Sequence, residues 1–350
     1  MEDSQGIKML VLSLTGRCNF ACKYCYAHQH PRETMPFSTA VRAVNLAAQS
    51  GEPFILQFSG GEPLLAFDVM EKIVLYVQQQ SIPAIMQAQT NGSLFDHDRV
   101  DFLRQARVGI GVSLDGRPAV NDRLRRLATG EGSFRHILAG IQHLAGQGVE
   151  IGLTCVVVED NVAELKGLVE MAYYLGNVRR IGFDLLRGQG RGGQLEAPRE
   201  EAISRGVWGA LQTARQMERR TGQKMLIAQL ERIEHLARGS AWGFAHCYAM
   251  NGEAAFVDAR GGIYACSSLV GDERFRLGDT AAGIDEKRRR EVAAMIQNSM
   301  SFCRACPDFQ LCGGGCFSRW YGSGCRNRAY DGECALKRSC IRWYEENREE

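Results

Sequence analysis

The chain has 350 residues, of which 45% are hydrophobic and 23% charged, the usual balance of a globular protein. Its 42 basic and 40 acidic side chains give a formal net charge of +2, which argues against nucleic-acid and membrane partners alike. The sequence has no run near the roughly 20 apolar residues of a membrane helix, and it shows no signal-peptide pattern. These features predict a cytoplasmic protein.

Strand and helix patterns alternate through the first half of the chain. Short apolar runs that predict strands cover residues 8–14, 54–58, 84–90, 108–114, 150–158 and 180–186, and helical segments separate them. Because each crossover helix returns the chain to the same end of the sheet, this alternation predicts an α/β fold with parallel strands. The loops after the strands should therefore gather at one edge, where parallel α/β folds place their sites.

The pattern changes twice in the second half of the chain. The segment from Pro198 to Ala237 has an amphipathic helical pattern, and after Trp242 glycines and cysteines dominate. We therefore predict three units, at residues 1–197, 198–241 and 242–350.

The 13 cysteines are clustered rather than scattered, with three before residue 26 and nine after residue 246. In a reducing compartment such clusters bind metals more often than they form disulfides. Cys155 stands apart, and because it lies in a predicted strand we interpret it as a small core residue.

The first cysteine group, Cys18, Cys22 and Cys25, follows the first predicted strand with CxxxCxxC spacing. Three thiolates can hold three irons of a [4Fe–4S] cubane and leave the fourth iron open to a small molecule. The alternative is zinc, because a structural zinc site closes with a fourth ligand that His28 or His30 could supply.

The second cysteine group has the spacing CxxCxxxxxCxxxC over residues 303–316, with three glycines inside it. Glycines allow the backbone to fold tightly around a cluster. Nine cysteines suffice for two closed clusters, or for one closed and one open. Zinc knuckles are the alternative here, since CxxC pairs serve both metals.

The two groups together resemble a known superfamily. Cys18-x-x-x-Cys22-x-Tyr24-Cys25 resembles the signature of radical S-adenosylmethionine (radical SAM) enzymes, and the later array resembles their SPASM extension. The SPASM pattern matches, in order, Cys247, Gly261, Cys266, Cys303, Cys306, Cys312, Cys316 and Cys334. The resemblance covers nearly the whole chain. It implies a partial (β/α)6 TIM-like barrel followed by a cysteine-rich SPASM iron–sulfur domain.

For the barrel, the resemblance implies that Cys18, Cys22 and Cys25 hold a [4Fe–4S] cluster whose open iron chelates S-adenosylmethionine. Glu62 would accept a hydrogen bond from the methionine ammonium group. The implied contacts of S-adenosylmethionine are Tyr24, Gly60, Gly61, Glu62, Pro63, Asn91, Ser113, Asp115 and Arg125. Such enzymes cleave S-adenosylmethionine to a 5′-deoxyadenosyl radical, which removes hydrogen from a C–H bond.

For the C-terminal region, the resemblance implies two auxiliary clusters. One would be held by the four-thiol set, which is Cys303, Cys306, Cys312 and Cys334. The other would be held by the three-thiol set, which is Cys247, Cys266 and Cys316. The second set lacks the fourth cysteine of some family members, so either that cluster has an open iron or Cys325 or Cys340 completes it.

The substrate implied by the resemblance is a precursor peptide or protein. The leading hypothesis is a maturase that forms a cross-link or another oxidative modification in a ribosomally made peptide. The alternative is an anaerobic sulfatase maturase that forms formylglycine. That family has an aspartate directly after the second SPASM cysteine, and Ser267 stands there in this chain. A hypothesis of another class is a non-catalytic iron–sulfur or zinc protein. No catalytic residue is assigned.

Further partners follow from the same resemblance. The enzyme would need a flavodoxin- or ferredoxin-type reductant. Because the first predicted strand begins near Lys8, we expect no fused peptide-recognition domain, so that leader recognition is weak or comes from a separate protein.

One further motif, Gly188-x-Gly190-x-x-Gly193, matches a dinucleotide-binding fingerprint. It follows the sixth predicted strand rather than the first, so we interpret it as a mobile loop over the barrel mouth. Arg187 and Arg191 could contact substrate from this loop.

Overall fold

The computed structural model describes residues 6–239 and 243–347. Eleven strands among these residues form one sheet. They are β1 (Met9–Ser13), β2 (Phe54–Ser59), β3 (Ala84–Thr90), β4 (Gly109–Ser113), β5 (Ile151–Val157), β6 (Val178–Leu185), β7 (Leu226–Ile227), β8 (Ala254–Val257), β9 (Gly262–Tyr264), β10 (Arg276–Asp279) and β11 (Gly283–Ile284). The six predicted strands are β1 to β6, with ends shifted by a few residues.

The first eight helices lie between the parallel strands in the chain, and the last four follow the final strand. They are α1 (Phe37–Ala48), α2 (Phe67–Gln79), α3 (His97–Gln105), α4 (Pro118–Leu124), α5 (Phe134–Gly146), α6 (Leu165–Leu175), α7 (Glu200–Thr221), α8 (Ala228–Arg238), α9 (Glu286–Ser299), α10 (Phe309–Cys312), α11 (Phe317–Gly322) and α12 (Asp331–Asn347). Across residues 6–239 and 243–347, none of the helices combines the length and apolar character needed to cross a bilayer.

The sheet extends beyond the six predicted strands at both ends. Its order is β11-β10-β9-β8-β1-β2-β3-β4-β5-β6-β7. From β8 through β1 to β7 in this order, each strand runs parallel to its neighbour. On the other side of β8, strands β9, β10 and β11 each pair antiparallel with the strand before them. Strand β7 interrupts the predicted helical bridge. The sequence analysis did not predict this strand, because two residues are too few to show a strand period. The predicted boundary between residues 241 and 242 lies outside the described residues, and the three units stay a prediction.

Alternating burial along the strands separates the core from the inner face of the sheet. In β5 every second residue, including Cys155, is buried against the helices. The interpretation of Cys155 as a core residue is thereby confirmed. Several of the less buried positions are glycine or polar, and Gln89, Gly111 and Thr154 among them line one cavity. The inner face therefore leaves open, polar space under the loops at the strand ends.

The register places these loops at one level. Ser13 pairs with Ser59 at the carboxyl ends of β1 and β2, and Ser113 at the carboxyl end of β4 pairs with Thr154 within β5. The cysteine loop, the Gly-Gly-Glu-Pro loop and the segments after β3 and β4 therefore start from one rim, as the alternation of elements predicted.

Helix α5 fixes one of these rim loops through a contact that requires glycine. A Cβ atom on Gly140 would lie 1.8 Å from the carbonyl oxygen of Gly92, in the loop after β3. We expect Gly140→Ala to force the helix and the loop apart, lowering the free energy of unfolding by about 1–3 kcal/mol in urea titrations.

The control is Gly146→Ala on the same helix, because its Cβ would meet nothing within 4 Å. Replacing this exposed glycine should leave stability unchanged or raise it by up to about 1 kcal/mol. Equal effects of the two substitutions would contradict the packing argument.

Candidate metal centre and cofactor site

The first cysteine loop is held by backbone contacts with the Gly-Gly-Glu-Pro loop. The amides of Gly61 and Glu62 donate to the carbonyls of Thr15 and Arg17 at 2.8 and 2.9 Å. A Cβ atom on Gly60 or Gly61 would lie 2.3 Å from the same carbonyl oxygens, and Gly60 has a φ of +141°. Both positions therefore require glycine where the two loops meet. The two glycines allow the backbone contacts that hold the cysteine loop in place.

Glu62 ties this rim to the end of β3. Its side chain is fully buried and accepts hydrogen bonds from the Thr90 hydroxyl at 2.6 Å and from the amides of Asn91 at 2.7 Å and Leu64 at 3.0 Å. Burial raises the pKa of this carboxyl, and these donors oppose the rise. A carboxylate offers about four acceptor positions, so one remains for a ligand cation.

The thiols of Cys18, Cys22 and Cys25 face a common space. Burial raises the pKa of Cys18 to about 11 and that of Cys22 to about 12, and each is raised further by the neighbouring cysteines. In the described part of the chain, no three His, Cys, Asp or Glu side chains come close enough to hold one metal ion. Three desolvated thiols that interact with one another are the donor type that an iron–sulfur cluster takes.

Neither histidine completes a zinc site in this arrangement. His28 is exposed, whereas His30 is buried between the rings of Tyr26 and Phe256 at centroid distances of 6.0 and 5.6 Å. Burial lowers the pKa of His30 to about 4, so its imidazole is neutral at pH 7.

Tyr24, Asp115 and Arg125 form a buried triad beside Cys22. The Asp115 carboxylate accepts from the Tyr24 hydroxyl, from Arg125 Nε at 2.9 Å and from the amide of Val156 at 3.0 Å. Arg125 also lies 5.4 Å from the Tyr24 ring and directs Nη1 at Cys22 Sγ, 3.9 Å away. With 1% exposure, Asp115 holds the cysteine loop to the end of β4. Its predicted contact with S-adenosylmethionine stays a prediction.

Asn91 and Ser113 lie at the ends of β3 and β4. The Asn91 side-chain amide donates to Asn19 at 2.8 Å and points at Cys18 Sγ, 3.9 Å away. Ser113 accepts from Gln89 at 3.0 Å and stays partly exposed toward the inner cavity. Asn91 therefore contacts the cysteine loop, and the contacts of both residues with S-adenosylmethionine stay a prediction.

The four-thiol set lines one cavity of about 350 Å³ near the C-terminus, together with Cys316. Its other walls are largely apolar, with Phe302, Phe309 and Trp320 among them. Burial raises the pKa of Cys334 to about 12, and Cys312 and Cys303 add to the rise. Four converging thiols in an apolar cavity fit a closed iron–sulfur cluster.

The three-thiol set converges as well. Burial raises the pKa of Cys247 to about 12, and the thiols of Cys316 and Cys266 add to the rise. The other two candidates lie elsewhere. Cys340 is buried on α12 near Lys337, and Cys325 lines a surface cavity with Arg328 and Tyr330. Cys316 also lines the cavity of the four-thiol set, so the two sets adjoin.

A hydrogen bond links the first cysteine loop to the three-thiol set. The hydroxyl of Tyr26, next to Cys25, lies 3.2 Å from the hydroxyl of Ser267, next to Cys266. Sequence reasoning missed this contact, because 241 residues separate the two side chains. The sequence held one indication of this contact, because each of the two residues directly follows a cysteine that was predicted to bind a cluster.

The loop at residues 188–193 packs on the first cysteine loop. The amide of Arg191 donates to the carbonyl of Cys25 at 3.0 Å, and a Cβ on Gly188 would lie 2.3 Å from the carbonyl of Gly322. The glycines of this loop make close backbone contacts on both sides, and its predicted mobility stays a prediction.

A chain of charges joins β6 to the C-terminal helices, with Arg319 and Glu333 buried and Asp184 and Arg187 partly exposed. Asp184, at the end of β6, accepts from both Arg187 and Arg319. Arg319 also forms a bidentate pair with Glu333 at 2.6 and 2.8 Å. The Arg187 guanidinium lies 5.1 Å from the Tyr26 ring. Apart from Arg187, sequence reasoning did not single out these residues, whose partners lie up to 135 positions apart.

Comparison with known proteins agrees with this architecture. Residues 12–172 match the profile of the Radical SAM superfamily. The chain is 30% identical to an uncharacterized protein of Methanocaldococcus jannaschii over 272 residues, which cover 76% of this chain and 87% of that protein. It is 27% identical to the serine-type anaerobic sulfatase-maturating enzyme of Klebsiella aerogenes over 333 residues, covering 85% and 76% of the two chains.

The fold is also that of a solved structure, native anSMEcpe with bound AdoMet and the Cp18Cys peptide. The two superpose with a TM-score of 0.81 over 97% of this chain and 96% of that one, at 18% identity. By contrast, the chain spans less than half the length of several haem-forming relatives that it matches.

This chain belongs to the radical SAM superfamily. The predicted α/β fold is confirmed, and so are the predicted cofactors, [4Fe–4S] clusters and S-adenosylmethionine, which are those of the superfamily. The chain is therefore a radical SAM enzyme by family. Its individual ligands and its cytoplasmic location stay predictions.

The buried triad leads to a prediction about Asp115. Asp115→Asn removes the charge that compensates Arg125, and an unpaired buried charge costs about 3–5 kcal/mol. We expect urea unfolding of the apoprotein to show a loss of this order.

Ser113→Ala is the matched control at the same strand end, since its hydroxyl accepts from Gln89 alone in the described structure. It should change the stability by less than about 1 kcal/mol. A residue that served S-adenosylmethionine alone would leave the apoprotein unchanged, so an unaltered Asp115→Asn apoprotein would refute the structural role.

Proposed function

We propose that this protein is a radical SAM/SPASM maturase that removes hydrogen from a residue of a peptide or protein substrate and leaves an oxidative modification such as a cross-link. The observation that carries the proposal is the Tyr26–Ser267 contact, which places the first cysteine loop directly beside the three-thiol set. A substrate bound at this junction would lie close to both the first cysteine loop and the three-thiol set. The peptide bound in the structurally similar anSMEcpe supports a substrate of this class.

The chain's own residues define three parts of this site. Cys18, Cys22 and Cys25 would hold the first cluster, and the three-thiol and four-thiol sets would hold the auxiliary ones. With S-adenosylmethionine bound, the first cluster would supply the electron that releases a 5′-deoxyadenosyl radical from it, and the auxiliary clusters would accept one further electron. The Gly60–Gly61 backbone positions the cysteine loop, and the remaining acceptor position of Glu62 suits the ammonium group of S-adenosylmethionine.

The Tyr24–Asp115–Arg125 triad orients the cysteine loop. It also places a guanidinium beside the Cys22 sulfur, where positive charge favours the thiolate that a cluster requires. Burial of Glu62 and Asp115 keeps water away from this side of the site.

A second candidate, sulfatase maturation, is favoured by the 27% identity over 333 residues to the Klebsiella aerogenes enzyme. Against it stands Ser267, whose hydroxyl is engaged with Tyr26 at the position where that family has an aspartate. Serine is a poor base, and burial raises the pKa of Tyr26 further from neutrality. The chain thus lacks the expected base at this position.

The radical chemistry can be tested directly. Anaerobic reconstitution with iron and sulfide, followed by dithionite and S-adenosylmethionine, should yield 5′-deoxyadenosine by chromatography. Cys22→Ala should abolish the product because the first cluster loses a ligand.

Cys155→Ala is the control for this experiment, since Cys155 is a core residue. It should retain iron and product formation. If wild-type protein with a full iron content forms no 5′-deoxyadenosine, the non-catalytic hypothesis replaces this proposal.

The substrate class can be tested by mass spectrometry. The enzyme is incubated with a sulfatase-derived serine or cysteine peptide and, separately, with any short peptide encoded beside its gene. A maturase of the proposed type should remove two hydrogens from the encoded peptide without forming a hydrazide-reactive aldehyde.

Formation of an aldehyde in the sulfatase peptide alone would instead establish the second candidate. Ser267→Asp then serves as a further comparison, since it restores the aspartate of the sulfatase-maturase pattern. It should raise aldehyde formation if that chemistry is within reach of this site.

A further inference from the structure

A cavity of about 450 Å³ lies against the sheet, and the six neighbouring strands β2 to β7 all contribute to its wall. Volumes of this size are typical of sites that bind small ligands. Gln89 in the wall donates to Ser113 at the carboxyl end of β4, which is one of the predicted contacts of S-adenosylmethionine. The wall also includes Glu150, just before the first residue of β5. The cavity therefore extends from the cofactor side of the sheet toward the amino ends of the strands.

Two glutamines in the wall form a pair that leaves hydrogen-bonding groups open to the cavity. Gln87 Nε2 donates to Gln57 Oε1 at 2.8 Å. Within the described structure, Gln57 Nε2 and Gln87 Oε1 have no hydrogen-bond partner, and neither atom is shut off from solvent. An amide group carries both a donor and an acceptor, so a free donor beside a free acceptor complements it.

The charged side chains of the wall are already paired. Arg179 Nε lies 2.8 Å from Glu150 Oε1, and Arg180 Nε lies 2.6 Å from Glu231 Oε2. Among the described residues that line the cavity, these arginines and Glu150 are the charged ones. An ion bound here would find no free counter-charge in the wall, and removing an ion from water without one is costly. The wall therefore favours an uncharged ligand.

Two strand glycines leave room in the cavity without being required by the fold. A Cβ atom on Gly109 would lie 3.7 Å from Gln87 Cβ, and one on Gly152 would lie 3.8 Å from Arg180 Cβ. Both are ordinary contact distances, and neither glycine has a positive φ. Glycine weakens a strand, and in a strand it often marks a place where a ligand approaches closely. These two positions therefore agree with a ligand beside the glutamine pair.

We propose that this cavity binds an uncharged amide group of the substrate, which accepts from Gln57 and donates to Gln87. A main-chain peptide group and the side chain of an asparagine or glutamine share this chemistry. The inference rests on the proposed function, since it names the part of a peptide substrate that this side of the sheet takes. It makes Gln57 and Gln87 specificity-determining residues.

Binding of short peptides tests the cavity without any turnover. The reconstituted full chain is titrated, by ligand-observed nuclear magnetic resonance, with acetylated and amidated tripeptides that carry glutamine, leucine or glutamate between two alanines. If the amide is a side chain, the glutamine peptide should bind several-fold more tightly than the other two. If it is a main-chain group, the glutamine and leucine peptides should bind alike, and N-methylation of their peptide nitrogens should abolish binding. Silence with all three peptides, or tightest binding of the glutamate peptide, overturns the proposal.

Glutamine variants locate the binding. Because each variant removes one hydrogen-bond partner of an uncharged amide, Gln57→Leu and Gln87→Leu should each weaken binding of the responding peptide about two- to twelvefold. The matched control is Gln78→Leu on α2, whose side chain is exposed and does not line the cavity, and it should bind the peptide like the parent chain. Unchanged affinity in both cavity variants would rule out the assignment.

A glycine variant separates a binding role from a structural one. Valine suits a strand, and a Cβ at residue 152 meets only ordinary contacts, so Gly152→Val should keep or raise stability in urea titrations. Its side chain should occupy the cavity and weaken peptide binding about tenfold or more. Gly109→Val on β4 takes its place if that variant unfolds.

Full binding in whichever glycine variant stays folded would contradict the proposal. Neither S-adenosylmethionine cleavage nor a modified product enters these measurements. Their failure is therefore distinguishable from failure of the proposed function, which the formation of 5′-deoxyadenosine tests.

Discussion

The partly buried charge chain Arg187–Asp184–Arg319–Glu333 is the interaction on which the relation between the two cysteine regions depends. It joins the end of β6 to α11 and α12, and every link is a direct ion pair. Burial raises the pKa of the Asp184 carboxyl, but Arg187 and Arg319 lower it overall, so the carboxylate stays ionised. Buried ions are tolerated when each is paired, and removal of one partner leaves a charge that costs about 3–5 kcal/mol. The four charged residues therefore stabilise this junction together.

Two further contacts bring the cofactor loops to the same place. The glycines of the Gly-Gly-Glu-Pro loop allow backbone-to-backbone packing on the first cysteine loop, and Glu62 ties that pair of loops to the end of β3. On the other side, Tyr26 meets Ser267 of the three-thiol set. The first cysteine loop is thus clamped between the barrel rim and the C-terminal region. Rigid support of this kind suits a site that must hold a reactive radical away from water.

Much of the fold was predictable because it follows from local periodicity. The strands β1 to β6 are apolar runs between helical segments, and each was predicted to within a few residues. Strand β7 and helix α4 were missed, since two and seven residues are too short to establish a period. Cys18, Cys22 and Cys25 interact because they share one short loop, whereas Cys247, Cys266 and Cys316 come together from segments far apart in the chain. The role of Asp115 did not follow in this way, since its partners Tyr24 and Val156 come from distant segments.

The sequence by itself determined the candidate thiol ligands, their spacing and the rim on which the first group lies. CxxxCxxC after a strand, and the later cysteine array, are patterns that chemistry and local geometry make specific. The tertiary structure alone decided which side chains surround those thiols. Whether Arg187 and Arg319 are paired, and whether Ser267 meets Tyr26, depends on contacts between segments far apart in the chain. Local sequence carries no record of such contacts, because they arise when the sheet and the C-terminal helices pack together.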